Sequence, residues 1–453
     1  MQGGIDFGSS YSPDGTEFAF LRAGSSDAKV DVVIANADGG NQRVLASRPY
    51  LDEFIGVAWS PDGKTVAFTT SEATKRLRSV LWAISVADGS VREIYSTPDN
   101  IGRPRWLPDG SGLLTPIKNV DQAFRGQLWF ISYPKGEARR LTNDLMDYQL
   151  CCLDLTPDGK TLVDTELTTV SDLWIASAGN TAKAKQITSK EFAVGGFSWV
   201  PNGRIIFASR AGNLFALNPD GSGRTPLTAD DRFSRDPSVC GDGRYVVYAA
   251  YQAQKQGIWR IDADGSNPIR IVDETLAVNP QCSPDGKWVV YLRGPSWTAV
   301  RVKIAGEKPP EVLAEDIVTG FGYPLKISPD GKRIVYLASA GPPPENPGSA
   351  SASRPTQLKV IPFDGGAPLY QFDWPALAGE PRWAPGGEAV DHVLNRNGVS
   401  NIWRQKLGGG PPTQITNFES GLILNFDWSH DGRYLALTRG SESSDVILIS
   451  NFR

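Results

Sequence analysis

Short apolar runs rich in β-branched and aromatic residues recur along the whole chain, bounded by glycine-bearing turns, and no long stretch carries the 3.6-residue period of an amphipathic helix. The repeated signal is a tetrapeptide. It reads Ser-Pro-Asp-Gly at 12–15, 60–63, 283–286 and 328–331, Leu-Pro-Asp-Gly at 107–110 and Thr-Pro-Asp-Gly at 156–159. It persists as Val-Pro-Asn-Gly at 200–203, Cys-Gly-Asp-Gly at 240–243, Ala-Pro-Gly-Gly at 384–387 and Ser-His-Asp-Gly at 429–432. The final glycines of these ten copies are 40 to 56 residues apart. Before each turn stands a large apolar residue, such as Trp59, Trp106, Trp199, Trp383 or Trp428. After it comes a β-branched and aromatic run, then a third run such as Leu81-Trp82-Ala83-Ile84, and then a second glycine turn. Glycine tolerates positive φ, so Asp-Gly between strand-like runs forms tight hairpins. Each copy therefore predicts a four-stranded antiparallel sheet, and a period in the forties predicts the blades of a propeller. The fold class expected is all-β: a β-propeller of ten four-stranded blade repeats spanning 1–453, as one large ring or as two rings with the first incomplete.

Composition narrows the function. The chain has 453 residues, 46 Lys+Arg, 50 Asp+Glu and a net charge of -4, so it lacks the basic excess of a nucleic-acid binder. No apolar run reaches the roughly 20 residues of a membrane helix. The start, from Met1 to Phe7, has no basic segment and no apolar stretch, so no export signal is read there. Two histidines, His392 and His430, leave little material for a histidine metal site or a Ser-His-Asp triad, and neither a metal nor a cofactor is expected. The four cysteines, Cys151, Cys152, Cys240 and Cys282, show no C-x-x-C spacing and are expected as buried packing thiols.

The pattern Trp-Ser-Pro-Asp-Gly-Lys at 59–64, followed by Leu-Trp-x-Ile and Asp-Gly, resembles the TolB-like propeller repeat, and the resemblance covers essentially the whole chain. The tail from Thr413-Gln414-Ile415-Thr416 to Arg453 is similar to the C-terminal end of propellers fused to bacterial transmembrane Ser/Thr protein kinases. Similar propellers are also fused to membrane-anchored winged-helix regulators. The resemblance implies a non-enzymatic sensor or docking module outside the cytoplasmic membrane, with any kinase domain outside this chain. It also leaves open a free-standing periplasmic interaction scaffold, and a propeller lyase or hydrolase acting in the channel around His392. The last copy ends after a third strand at 446–450, no strand is left over to close a ring, and a C-terminal fragment or separated module is therefore expected.

Alternating strand direction places the short glycine turns at one face and the long, variable inter-blade loops at the other, where function is expected. Those loops carry many acids, few bases and interleaved aromatics. The candidate partner-binding residues are Asp147, Tyr148, Phe192, Asp231, Arg232, Phe233, Phe321, Tyr323 and Trp374. Such a rim favours a protein or peptide partner, with cationic chemistry preferred over a polyanion. Trp297 and Trp374 fall outside the repeated tryptophan positions and are expected as exposed contacts. The Pro- and Ser-rich insertion 340–356 reads as an extended loop. Other motifs resolve into the repeat. Asp6-Phe7-Gly8 lacks the rest of a kinase, Asp262–Asn267 has its glycine too early for a calcium loop, and no G-x-S-x-G elbow occurs. The turn aspartates are read as structural, through bonds from side chain to backbone.

Overall fold

The computed structural model describes residues 8–23, 29–49, 56–73, 77–118, 125–189, 192–230, 232–252, 255–274, 276–294, 297–306, 309–318, 325–340, 356–375, 378–450 and 452. Asp6 and Phe7, the candidate residues Asp231, Phe321 and Tyr323, and the insertion 341–355 lie outside them. Among the described residues every regular element is a β-strand, and the strands form antiparallel sheets. The protein is an all-β propeller array.

The repeated turns explain why the blades form. In all ten copies the glycine N–H donates to the carbonyl three residues back, at 2.8–3.0 Å. Where the first residue is Ser or Thr, its hydroxyl donates to the turn aspartate at 2.5–2.7 Å. The same hydroxyl oxygen accepts the N–H five residues on, at 2.9–3.0 Å. These hydroxyl bonds hold the Asp14 and Asp62 carboxyls below the usual range. Gly432, at φ +68°, lies so close to the preceding copy that a Cβ would meet Pro385 at 2.8 Å. Here the turn needs glycine both for its backbone and for blade packing.

Two compact units divide the chain. The first comprises Met1–Thr168 and Ser443–Arg453. Its blades are 9–49, 57–97 and 100–140, then a sheet of Asp154–Leu155, residues 161–168 and residues 443–450. Three apolar clusters join successive blades, the last packing Leu114, Leu128 and Leu162 with Ile447 and Ile449. Among the described residues no such cluster joins the fourth blade to the first. Among the described residues the unit is a run of four blades joined in sequence order.

The second unit closes. Its blades are 192–226, 233–272, 277–314, 325–374 and 382–414, and a sixth built from distant segments: Leu422–Trp428, residues 434–442, residues 169–177 and Asn180–Gln186. Six apolar clusters fill the six interfaces in turn. A repeated hydrogen bond shows that the composite blade is a normal member of the ring. The pre-turn tryptophan donates its Nε1–H to a carbonyl of the preceding blade: Trp106 to Ala58 at 3.1 Å and Trp383 to Lys326 at 3.0 Å. Trp199 makes the same bond to Asp427 at 3.2 Å, across 228 residues of sequence.

This corrects the expectation that no strand remains to close a ring. Copies four and ten each run their second and third strands together, as the 17-residue strands Thr161–Ser177 and Tyr434–Ser450, which pair with each other. Each copy thereby lends strands to the other's blade. Residues 166–172 contain no glycine or proline and include Thr168, Thr169 and Val170, so nothing there turns the chain.

The cysteine expectation is also corrected. Cys240 is bonded to Cys282 and Cys151 to Cys152. Cys240 and Cys282 stand beside the turns of neighbouring blades, which brings their side chains together despite a separation of 42 residues. That proximity is a property of the ring and not of the spacing.

Candidate functional site

The predicted rim residues divide between the units: Asp147 and Tyr148 in the first, Phe192, Arg232, Phe233 and Trp374 in the second. Asp147 accepts from Lys118 at 3.0 Å and from the Gly126 N–H at 2.7 Å. Tyr148 is 1% exposed, packs in the last cluster of the first unit and donates to Asp144 at 2.8 Å. Burial pushes its hydroxyl well above the ordinary tyrosine range. Phe192 opens the strand Phe192–Trp199, opposite Ser209. Arg232 donates from Nε to Asp230 at 2.9 Å and lies 4.0 Å over the Trp259 ring. Phe233 meets Tyr251 edge-on at 6.5 Å.

The two outlying tryptophans are not exposed contacts. Trp374 is buried between blades, 4.6 Å from the His392 ring, and Trp297 packs against the cluster that joins 277–314 to 325–374. Burial arises because Trp374 ends the outermost strand of its blade and covers the cluster beside the next blade. Several rim acids are already engaged by tyrosines of their own blades. Glu274 accepts from Tyr291 at 3.0 Å and Asp316 from Tyr336 at 3.1 Å. Much of the expected acidic surface is thus held internally.

His392 does not meet the conditions for channel chemistry. It is 2% exposed, neither ring nitrogen has a hydrogen-bond partner among the described residues, and burial pushes its pKa down to about 4. It faces Trp374, whereas its neighbour Asp391 faces the other way. There Asp391 accepts two bonds from Arg404, at 2.7 and 2.8 Å, and one from Trp428 Nε1 at 2.8 Å. Among the described residues no group of three or more His, Cys, Asp or Glu side chains is arranged to hold a metal ion. No helix among them is long and apolar enough to cross a membrane.

The second unit holds a feature that the sequence reading missed. A cavity of about 380 Å³ lies on the axis of its six blades and is lined from all of them. Asn395, Ser400 and Leu422 border it, so it opens toward the inter-blade loops. Its charged groups come mostly from or beside the innermost strands, with Glu442 added from the second strand of the composite blade. Arg235 pairs with Asp236 at 3.0 Å. Arg382 pairs with Glu380 at 2.9 Å, and donates to Asn425 Oδ1 at 2.8 Å and to the Phe426 carbonyl at 3.2 Å. Lys326 and Asp427 also line the cavity and make no ion pair with any described residue. Burial, with Arg382 nearby, pushes the Lys326 ammonium down to about 8, and burial pushes the Asp427 carboxyl up. Asn279 and Gln281 supply amide groups.

A sequence signal for this site exists. The residue immediately before each pre-turn apolar position reads Ser198, Ser238, Gln281, Lys326, Arg382 and Asp427 around the ring. Ser198 and Ser238 accept backbone N–H groups of the next blade, from Val239 and Cys282, each at 3.1 Å. The other four line the cavity.

A family profile described as the TolB beta propeller domain matches residues 4–239. An uncharacterized protein of Agrobacterium fabrum is 23% identical over 143 residues, which is 30% of this chain and 49% of that one. The chain thus spans about half the length of that curated relative. Among solved structures, TolB from Acinetobacter baumannii is similar at 13% identity over 77% of each chain, with a TM-score of 0.27. The tricorn protease is similar at 12% identity over 99% of this chain and 63% of its own, with a TM-score of 0.36.

Proposed function

The chain belongs to the TolB beta propeller family, and on that premise we propose that it is a non-enzymatic binding propeller, the sensor or docking module of a bacterial envelope signalling protein. The partner is a protein or peptide. It docks on the face where the axial cavity opens, and binding biases the state of an attached kinase or regulator domain. The observation that carries this reading is the cavity itself, lined from every blade of a closed ring and open toward the loops. Residues held by a closed ring form a preformed surface, which limits the ordering cost of association. The Cys240–Cys282 disulfide supports placement outside the cytoplasm, because such bonds persist in oxidising compartments.

In-cell photo-crosslinking tests the reading. A photoreactive residue replaces Asn395 at the cavity mouth, or Glu388, exposed on the turn face, as the control. The expected result is a discrete protein adduct from position 395 and none from 388. No adduct from 395, or the same adducts from both, contradicts the reading. Trapping free thiols in the same cells tests the location. All four cysteines are expected to resist alkylation until a reductant is added, and immediate labelling of Cys240 and Cys282 contradicts an oxidising location.

A further inference from the structure

The axial cavity contains two opposite charges, Lys326 and Asp427, that lie within electrostatic reach of each other and of Asp236, Glu380 and Arg382 but make no contact ion pair among the described residues. Around the ring, Arg382 occupies the equivalent inner-strand position between Lys326 and Asp427, and it is committed to Glu380, Asn425 and the Phe426 carbonyl. Arg235 and Asp236 form an ion pair. Asp427 accepts the Trp428 N–H on Oδ1 at 2.9 Å, and its Oδ2 has no hydrogen-bond partner among the described residues. The Lys326 ammonium likewise has none. A charge withdrawn from bulk water is costly unless paired and hydrogen-bonded. Here one ammonium and one carboxylate face a single lumen from blades on either side of Arg382, yet do not pair with each other.

A lone cation or anion would satisfy only one of them. A molecule carrying both signs on a short frame satisfies both and adds no net charge to a lining that also carries Glu442. The volume, about 380 Å³, falls in the range of small-ligand pockets. Asn279 and Gln281, whose amides bond each other and the Leu325 and Pro280 carbonyls, add polar wall at one side, and Phe197, Val393 and Leu424 add apolar wall. We propose that this cavity binds a small zwitterion of the α-amino-acid class, with the ligand carboxylate set against Lys326 and the ligand ammonium against Asp427. The depressed Lys326 and raised Asp427 titrations agree with this, since each charged form lacks solvation that a counter-charge would replace.

This goes beyond partner docking, and either can hold without the other: the crosslink at position 395 reads the partner, and a titration on purified protein reads the zwitterion. The test is isothermal titration of the full chain with each of the twenty standard α-amino acids. The best binder is then compared with its N-acetyl and C-amide forms, and with acetate and methylammonium. One-to-one binding of at least one amino acid is expected, weakened about tenfold or more by either cap, because each cap removes a charge-assisted contact. In Lys326→Met the C-amide should bind as well as the free acid, and in Asp427→Asn the N-acetyl form should bind as well as the free amine. Thermal unfolding checks that each variant folds, and the capped-ligand series on the unaltered protein decides the matter if one does not. The proposal is overturned if no amino acid binds below about 10 mM, a range weaker than functional affinities. It is equally overturned if capping has no effect, or if acetate or methylammonium alone binds as tightly as the zwitterion.

Discussion

The two units use the same blade and end differently. In the first, apolar clusters join four blades in sequence order and stop. In the second, six clusters run round and return to their start, because segments 169–186 and 422–442 meet in one sheet. The contrast teaches that the repeat itself does not determine closure. The blades of both units carry the same glycine turn and a pre-turn apolar residue, and both units contain copies with the hydroxyl-to-aspartate bond. What differs is whether two distant copies lend strands to each other. In the closed unit an axial cavity brings charged side chains from several blades together.

The comparison can be broken or sharpened by substitution. The largest effect is expected at Cys240 and Cys282. Their bond closes a loop of 42 residues between neighbouring blades of the ring, so replacing both with alanine should lower stability by about 4 kcal/mol in denaturant unfolding. The Cys151–Cys152 bond closes no loop, and the same double replacement there should change stability by less than about 0.5 kcal/mol. Equal losses from the two pairs would remove the distinction between the units.

Next comes Asp391, a fully buried carboxylate held by Arg404 of its own blade and tied to the composite blade through Trp428. Asp391→Ala should cost about 3 kcal/mol, since it strands charge-assisted donors at a ring interface. A loss below about 1 kcal/mol would mean the interface holds by apolar packing alone.

In the first unit the informative group is Asp164. It is fully buried, its Oδ2 has no partner, and burial pushes its carboxyl up to about 7, against Lys118 acting the other way. The folded form therefore binds a proton that the unfolded chain releases near pH 4. The stability this gives is complete below pH 4 and is lost as pH rises toward and through 7. The stability of the first unit should fall between pH 5 and pH 8 by on the order of 2 kcal/mol, and Asp164→Asn should abolish most of that slope. An unchanged slope would assign it to another group.

The smallest effect is expected at His392. Both its nitrogens are buried without partners, so His392→Phe should leave stability unchanged or raise it by about 1 kcal/mol, with no loss of partner capture through position 395. Loss of capture would restore a functional role for the imidazole.

Much of the fold was legible because the turns are chemically explicit. The turn Asp-Gly in eight of the ten copies, the hydroxyl two residues before the aspartate in six and the apolar residue before every turn each fix a local geometry. The exchange between copies four and ten was less visible. Its signal in copy four is negative: residues 166–172 lack glycine and proline, and two strands fuse into one there. The Cys240–Cys282 bond was hidden because contact across blades depends on ring geometry. The rim was misjudged for a related reason. Acids such as Glu274 and Asp316 stand in loops by sequence, yet tyrosines of their own sheets reach up to bind them. Lys326 and Asp427 looked like ordinary strand residues, and only closure of the ring sets both beside one cavity.

The central claim is that the closed ring is completed by strands from copies four and ten. The most direct measurement is a designed cross-link between them. Thr169 Oγ1 and Glu442 Oε1 are 3.5 Å apart on adjacent strands of the composite blade. With Thr169→Cys and Glu442→Cys in one chain, mild oxidation should link the two within single molecules, and a disulfide-bonded peptide pair should appear in digests by mass spectrometry. If both new thiols stay free, or link only between molecules, segments 169–177 and 434–442 do not share a sheet, and the ring is not closed as described.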